Sequence, residues 1–214
     1  MEKAGGSRSL GLRALHPRQV RVVKIVGFVL ALAPLARLVI GFFIDALGVN
    51  PIELITRSTG TWTLVFILAT LAVTPLRKLS GWNWLQQLRR MLGLFAFFYG
   101  CLHLTTYVWL DQFFDVTAIL KDIIKRPFIT IGFAAFVMMV PLALTSTNGM
   151  VRRIGGKRWI ALHRLIYALA IFAVVHYWWL VKRDITQPAL YAIVLAVLLG
   201  WRIVEHRRRA AARR

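Results

Sequence analysis

The sequence has few of the residues that cover the surface of a water-soluble protein. Among its 214 residues only 8 are Asp or Glu, charged residues of both signs make up 17%, and 58% are hydrophobic. The single cysteine, Cys101, excludes an intrachain disulfide and a cysteine-rich metal site. This composition excludes an ordinary soluble domain, a disordered chain and a collagen-like fibre.

The chain does contain a large excess of positive charge, with 28 Lys and Arg and a formal net charge of +20. In a soluble protein this excess would suggest nucleic-acid binding. Here the cations lie in short gaps between long apolar runs, which is the charge bias of cytoplasmic loops in membrane proteins. The basic N-terminus leads into an apolar run long enough to span a bilayer. No cleavage site follows it, so we expect no cleaved signal peptide.

Six apolar runs are candidates for membrane-spanning helices, each of which needs about 20 mostly apolar residues. The runs cover residues 22–43, 61–76, 91–110, 128–144, 159–181 and 188–204. Because backbone groups in lipid must be satisfied internally, the expected fold is all-α, a polytopic six-helix bundle. We expect three parts: a basic N-terminal segment (1–21), the transmembrane domain (22–204) and a basic tail (205–214).

The distribution of the cations predicts the orientation of the bundle. They concentrate in the N-terminal segment, in the gaps after the second and fourth runs, and in the tail. The remaining gaps carry similar numbers of basic and acidic residues, so their net charge is near zero. By the positive-inside rule, both termini are expected to be cytoplasmic, and the third and fifth runs both lead outward.

Two histidines are expected at one depth in the outer half of the membrane. His103 lies about 10 Å, and His176 about 8 Å, before the outer ends of the third and fifth runs, at the helical rise per residue. Imidazole is an axial ligand of haem iron, and bundles build such sites from facing helices. Ala96 and Gly100 are expected on the His103 face, where they would leave room for a macrocycle. Close helix packing is the alternative explanation of these small residues and of buried histidines.

His163 is expected near the cytoplasmic face, about 20 Å of helix rise from His176. Its ring would point about 140° away from that of His176 on an ideal helix, so the two cannot face the same neighbour. On the third helix, the position at the same depth as His163 is near Arg89, just before the apolar run, and Arg89 shares the helix face of His103. Its guanidinium could meet a propionate, a flavin phosphate or a quinone oxygen. A positive-inside loop charge also explains Arg89. His16 and His206 lie in basic terminal segments and are assigned no role.

Short motifs in a specific order run from about residue 50 to 182. They are residues 59–61 (TGT), 71–77 (LAVTPLR), 89–94 (RRMLGL), 102–104 (LHL), 126–132 (RPFITIG), 145–147 (TST), 162–163 (LH) and 176–177 (HY). With these motifs the chain resembles the MsrQ (YedZ) family, the haem-binding membrane subunits of the periplasmic methionine sulfoxide reductase system. That family belongs to the ferric-reductase-like transmembrane group.

The resemblance implies a b-type haem with His103 and His176 as axial ligands, and His163 as a further histidine linked to haem. The wider group has two histidine pairs, and Arg89 departs from that pattern, so the expected number of haems is one or two. The resemblance also implies FMN, and electrons drawn from the quinone pool or a cytosolic flavin reductase. The implied partner is a periplasmic molybdopterin methionine sulfoxide reductase, and the implied location is the bacterial inner membrane. The chain would then be an electron-transfer subunit rather than the catalytic reductase.

Three further interpretations follow from the sequence. The outer loop 111–127 carries Asp111, Asp115 and Asp122, and we expect it to contribute to docking of the partner. A small transporter or proton pathway using the membrane histidines is the main alternative function, although no internal repeat supports it. An intramembrane metalloprotease is disfavoured because no Glu accompanies the membrane histidines.

Overall fold

A computed structural model describes residues 15–212, and this part of the chain is helical without strands. The α-helices are α1 (Pro17–Phe43), α2 (Pro51–Ser80), α3 (Arg89–Thr106), α4 (Val116–Lys125), α5 (Pro127–Leu144), α6 (Asn148–Ile154), α7 (Gly156–His163), α8 (Leu165–Leu180) and α9 (Thr186–Ala211). A 3₁₀ turn (Asn83–Gln87) leads into α3, and a π-helical turn (Tyr107–Asp111) follows it.

Six helical segments are long and apolar enough to cross a membrane, which confirms the predicted all-α bundle. They are α1, α2, the segment Asn83–Asp111 that contains α3, α5, the segment Gly156–Leu180 that contains α7 and α8, and α9. The fifth span therefore has a break at Arg164, between α7 and α8.

Helix α2 is longer at both ends than the predicted run 61–76. It begins at Pro51, where the Asn50 side chain accepts a hydrogen bond from the backbone N–H of Glu53 at 3.1 Å. It continues through Pro75 and ends at Ser80, and the capping residue Gly81 has a φ of +73°, a left-handed conformation that favours glycine. Polar residues at both ends lower the local hydropathy without breaking the helix, so apolar length alone underestimates it.

Two short helices lie where the sequence predicted only connections. The outer loop 111–127 contains α4, which begins where Asp115 accepts a hydrogen bond from the N–H of Ala118. The gap 145–157 between the fourth and fifth runs contains α6, which is capped by Thr147. Both helices are shorter than a membrane span and are fixed by their caps, a local signal that hydropathy does not carry.

The interior of the bundle is organised around two helix pairs. Helix α2 packs mainly on α3, and α5 packs mainly on α8, whereas α1 makes few contacts and lies at the edge. Leu71, Tyr99 and Ala170 are fully buried where the two pairs meet. The pairing matters for function because each pair carries one of the outer histidines.

Candidate metal centre

His103 on α3 and His176 on α8 lie next to each other inside the bundle. Their ring centroids are 6.2 Å apart, and the ring planes are inclined by 72°. The two residues are 73 positions apart in the chain and belong to different helix pairs. The structure therefore brings together the two rings that the depth argument placed at one level.

Each ring is held through its Nδ1 atom by a backbone carbonyl of the neighbouring helix. His103 Nδ1 lies 2.9 Å from the carbonyl oxygen of Thr56, and His176 Nδ1 lies 2.6 Å from that of Phe128. A carbonyl only accepts hydrogen bonds, so Nδ1 carries the proton in both neutral rings. The lone pair is then on Nε2, and neither Nε2 has a hydrogen bond to another residue between 15 and 212. Both rings present the nitrogen that can bind a metal.

A glycine follows each accepting carbonyl by one helical turn. A Cβ atom built on Gly60 would lie 3.0 Å from Cε1 of His103, and one built on Gly132 would lie 2.6 Å from Nδ1 of His176. Carbonyl and glycine are four residues apart in both cases, so they lie on the same helix face. Each imidazole thus rests against a side-chain-free patch and donates to the carbonyl one turn away. We call each pair of accepting carbonyl and glycine a histidine holder. The holders give a physical role to the TGT and RPFITIG motifs, which the sequence analysis used only as points of resemblance to a family.

The small residues expected to make room beside His103 have a different position. Gly100 faces α5, where a Cβ atom would lie 3.5 Å from Sδ of Met139 and 3.7 Å from Phe136. Ala96 is 2% exposed and belongs to the packed core. These contacts correspond to the alternative explanation, close helix packing, because both small residues permit close approach of α3 to its neighbours.

His163 is not part of this pair. It is the last residue of α7, and its ring stacks on Trp159 with 3.8 Å between centroids. Its Nδ1 lies 3.1 Å from the Trp159 carbonyl oxygen, and its Nε2 is buried without a hydrogen-bond partner. Arg89, the first residue of α3, is close enough for its charge to act on His163. These two residues form the edge of a separate, basic region.

Two of the three outer-loop aspartates have structural roles. Asp115 caps α4, and Asp122 accepts hydrogen bonds from Tyr107 and Gln112, each at 3.2 Å. Asp122 also pairs with Arg126 at 3.3 Å. Asp111 is exposed and makes no side-chain hydrogen bond within the described range, so it alone of the three presents an uncommitted carboxylate.

Comparison with known proteins identifies the family of this chain. Residues 58–174 match the family model described as "Ferric reductase like transmembrane component", a range that contains Arg89, His103 and His163 and ends just before His176. The "Protein-methionine-sulfoxide reductase heme-binding subunit MsrQ" of Herminiimonas arsenicoxydans is 58% identical over 189 residues, which is 87% of each chain. The chain belongs to the MsrQ family.

Two further MsrQ relatives match over similar or longer stretches. The protein of Azospira oryzae is 60% identical over 190 residues, covering 88% of this chain and 82% of the relative. That of Bordetella pertussis is 52% identical over 205 residues, covering 93% and 98%. The relationship to the MsrQ family therefore extends over nearly the whole chain, including the fifth and sixth spans.

Proposed function

We propose that this chain is the b-type haem electron-transfer subunit of a methionine sulfoxide reductase system. It would pass electrons from the quinone pool or a cytosolic flavin reductase to a periplasmic molybdopterin enzyme that repairs oxidised proteins. The names of its MsrQ relatives support the haem and the reductase system. The electron donor, the periplasmic partner, FMN and the bacterial inner membrane are the finer parts of the proposal.

The observation that carries the proposal is the spacing of His103 and His176. A metal–imidazole bond is about 2 Å long and a ring nitrogen lies about 1 Å from its centroid, so two imidazoles that share one metal have centroids about 6 Å apart. The observed separation is 6.2 Å. Residues 15–212 contain no group of three or more His, Cys, Asp and Glu side chains arranged for a metal. A metal with only two protein ligands here fits haem iron, whose other four ligands come from the macrocycle.

The surrounding residues prepare both imidazoles as ligands. Metal-binding histidines usually donate the second ring N–H to a carbonyl or carboxylate, which fixes the tautomer and raises ligand basicity. The carbonyls of Thr56 and Phe128 do this here, and Gly60 and Gly132 allow the rings to approach them. Haem, when bound, supplies reversible one-electron chemistry with a potential set by its axial ligands and its burial.

The remaining candidate residues suggest where electrons enter and leave. His163 and Arg89 lie in the basic region that the positive-inside rule assigns to the cytoplasm, which fits a role at the donor side. The outer histidines lie on the opposite side, close to the loop that contains α4. Asp111 on this loop remains our candidate for docking of the periplasmic partner.

The test is the absorption spectrum of the purified full-length protein, with haem counted by the pyridine haemochrome assay. We expect a Soret band and sharp reduced-state peaks, and we expect His103→Ala and His176→Ala each to remove or strongly perturb them. His206→Ala, on the exposed end of α9, is the matched control and should leave the spectrum unchanged. Wild-type spectra in both ligand variants would refute the assignment of the two histidines. A colourless protein expressed with ample haem would favour the transporter alternative.

A further inference from the structure

A cluster of partly buried basic groups lies apart from the outer histidines, where the ends of several helices meet. Its members are Arg77 on α2, Arg89 on α3 and Arg202 on α9. The charges of Arg77 and Arg202 are close enough to repel the Arg89 guanidinium. Tyr167 on α8 lies beside them, with the Arg202 guanidinium over its ring at 5.1 Å from the centroid. Four helices thus direct cationic or hydrogen-bonding groups into one region.

Arg202 is fixed in this region by a gap in the hydrogen bonds of α2. Pro75 has no N–H, so the carbonyl of Leu71, one turn earlier, has no helical donor. Arg202 fills this gap with a hydrogen bond of 2.9 Å to the Leu71 carbonyl oxygen, and it donates a second, also of 2.9 Å, to the Tyr167 hydroxyl. The guanidinium is therefore held in place by the protein before any ligand binds.

Several donors in the cluster remain without partners. The Nε atoms of Arg77 and Arg202 are buried and make no hydrogen bond. His163 Nε2 is also buried without a partner, but it is an acceptor, because Nδ1 of that ring donates to the Trp159 carbonyl oxygen. Buried polar groups normally have partners, and an unpaired buried donor costs about 1–3 kcal/mol, more when it is charged. Unpartnered guanidinium donors from two helices, α2 and α9, indicate that a ligand with acceptor oxygens completes the region.

The cluster also lacks negative charge. No ion pair in the described part of the chain involves Arg77, Arg89 or Arg202. The acid on α9, Glu205, already pairs with Lys78 and Arg209. Partly buried cations that repel one another and have no counter-ion are unfavourable, so an anion is the partner that fits this region.

We propose that Arg77, Arg89 and Arg202, with Tyr167, form a binding site for the phosphate or carboxylate group of a redox cofactor. The shared chemistry is a group with two or more acceptor oxygens, which guanidinium forks bind in bidentate fashion. The phosphate of FMN and the propionates of a second haem are its two sources, with His163 beside either one. The choice of FMN or haem as the ligand rests on the proposed electron-transfer function. The inference that the site binds an anion does not, because it follows from the unbalanced positive charge.

The test compares FMN with riboflavin, which has the same ring system but no phosphate, by fluorescence titration of the purified full-length protein. We expect FMN to bind about 10- to 100-fold more tightly than riboflavin, as for hydrogen bonds to charged groups. Arg202→Gln and Arg77→Gln should each abolish this preference. Arg207→Gln, an exposed cation on the same helix, is the matched control and should retain it.

Haem counting on the same samples distinguishes the second source. If the anion is a propionate, either variant loses one haem per chain while the absorption of the His103–His176 centre persists. The persisting spectrum also shows that the variant has folded. Because it tests haem binding by His103 and His176, failure of the proposed function can be distinguished from failure of the arginine site. The proposal is overturned if both variants keep the parent's haem count and the parent's FMN-to-riboflavin affinity ratio.

Discussion

Two glycines decide how the outer imidazoles are presented. Gly60 and Gly132 each lie one turn after the carbonyl that accepts from a histidine Nδ1, and each takes the space that a side chain would fill. The contact at Gly132 is the tighter of the two. Any Cβ atom there would push against the ring of His176 rather than against the end of a flexible chain.

Gly132→Ala should therefore weaken haem retention by about 10- to 100-fold, the usual effect of losing an outer-shell partner of a metal ligand. Gly60→Ala should have a smaller effect, because the closest approach there is 3.0 Å rather than 2.6 Å. The measurement is haem per chain after detergent exchange. The control is Gly200→Ala on α9, where no atom lies within 4 Å of a built Cβ. Full haem retention in Gly132→Ala would contradict the positioning role of this glycine.

His163→Ala should leave the outer spectrum intact and slow electron entry. His163 is on a different helix segment from His176 and touches Trp159 rather than the outer pair. We expect reduction by a quinol or by reduced FMN to slow several-fold in stopped-flow absorbance, with reduction by dithionite unchanged. Loss of the outer Soret band in this variant would show instead that His163 supports the outer centre.

At the scale of elements, two of the prolines inside helices, Pro34 and Pro75, lie where a side chain of another helix attaches. Pro34 interrupts α1, and there the Tyr99 hydroxyl donates to the Ala31 carbonyl oxygen at 2.8 Å and accepts from the Leu35 N–H at 3.2 Å. The hydroxyl stands between two groups that would bond each other in a regular helix. Tyr99 thus links α3 to the otherwise weakly attached α1.

Tyr99→Phe should lower the stability of the bundle by about 1 kcal/mol, the net value of a typical hydrogen bond, since the freed α1 groups can bond each other. The measurement is the midpoint of thermal unfolding in detergent. Tyr191→Phe, whose hydroxyl makes no hydrogen bond in the described region, is the control. Equal midpoints for Tyr99→Phe and the parent would show that the α1 attachment does not depend on this hydroxyl.

The sequence predicted the features that depend on a single helix and missed those that depend on contacts between helices. Apolar length predicted six spans, and rise per residue placed His103 and His176 together, because both depend on single helices. The holders at Gly60 and Gly132 were missed because a glycine shows its role only when the neighbouring helix is in place. Pro75 and Arg202 were missed for the same reason, since they are far apart in the chain and meet only in the folded bundle.

At the scale of the whole molecule, we expect the even number of candidate spans to place both termini on one side of the membrane. The basic gaps, including the one that contains α6, should face the cytoplasm, and the loops around α4 and after α8 should face outward. Single cysteines at Arg153 and Lys182, both exposed, can report this arrangement in a Cys101→Ala background.

We expect a membrane-impermeant maleimide to label Lys182→Cys in intact cells and Arg153→Cys only after lysis. The Cys101→Ala parent supplies the background signal. The reverse pattern would overturn the orientation and with it the assignment of the His103–His176 centre to the periplasmic half.

The two histidine holders belong to separate helix pairs, α2 with α3 and α5 with α8. A chain that enters the membrane from its N-terminus completes one holder well before the other has been synthesised. Binding of haem iron by both rings would then be a late event in biogenesis. It would link the α2–α3 pair, which is synthesised first, to the α5–α8 pair. Cells starved of haem should accordingly accumulate an inserted chain whose halves come apart more readily under proteolysis.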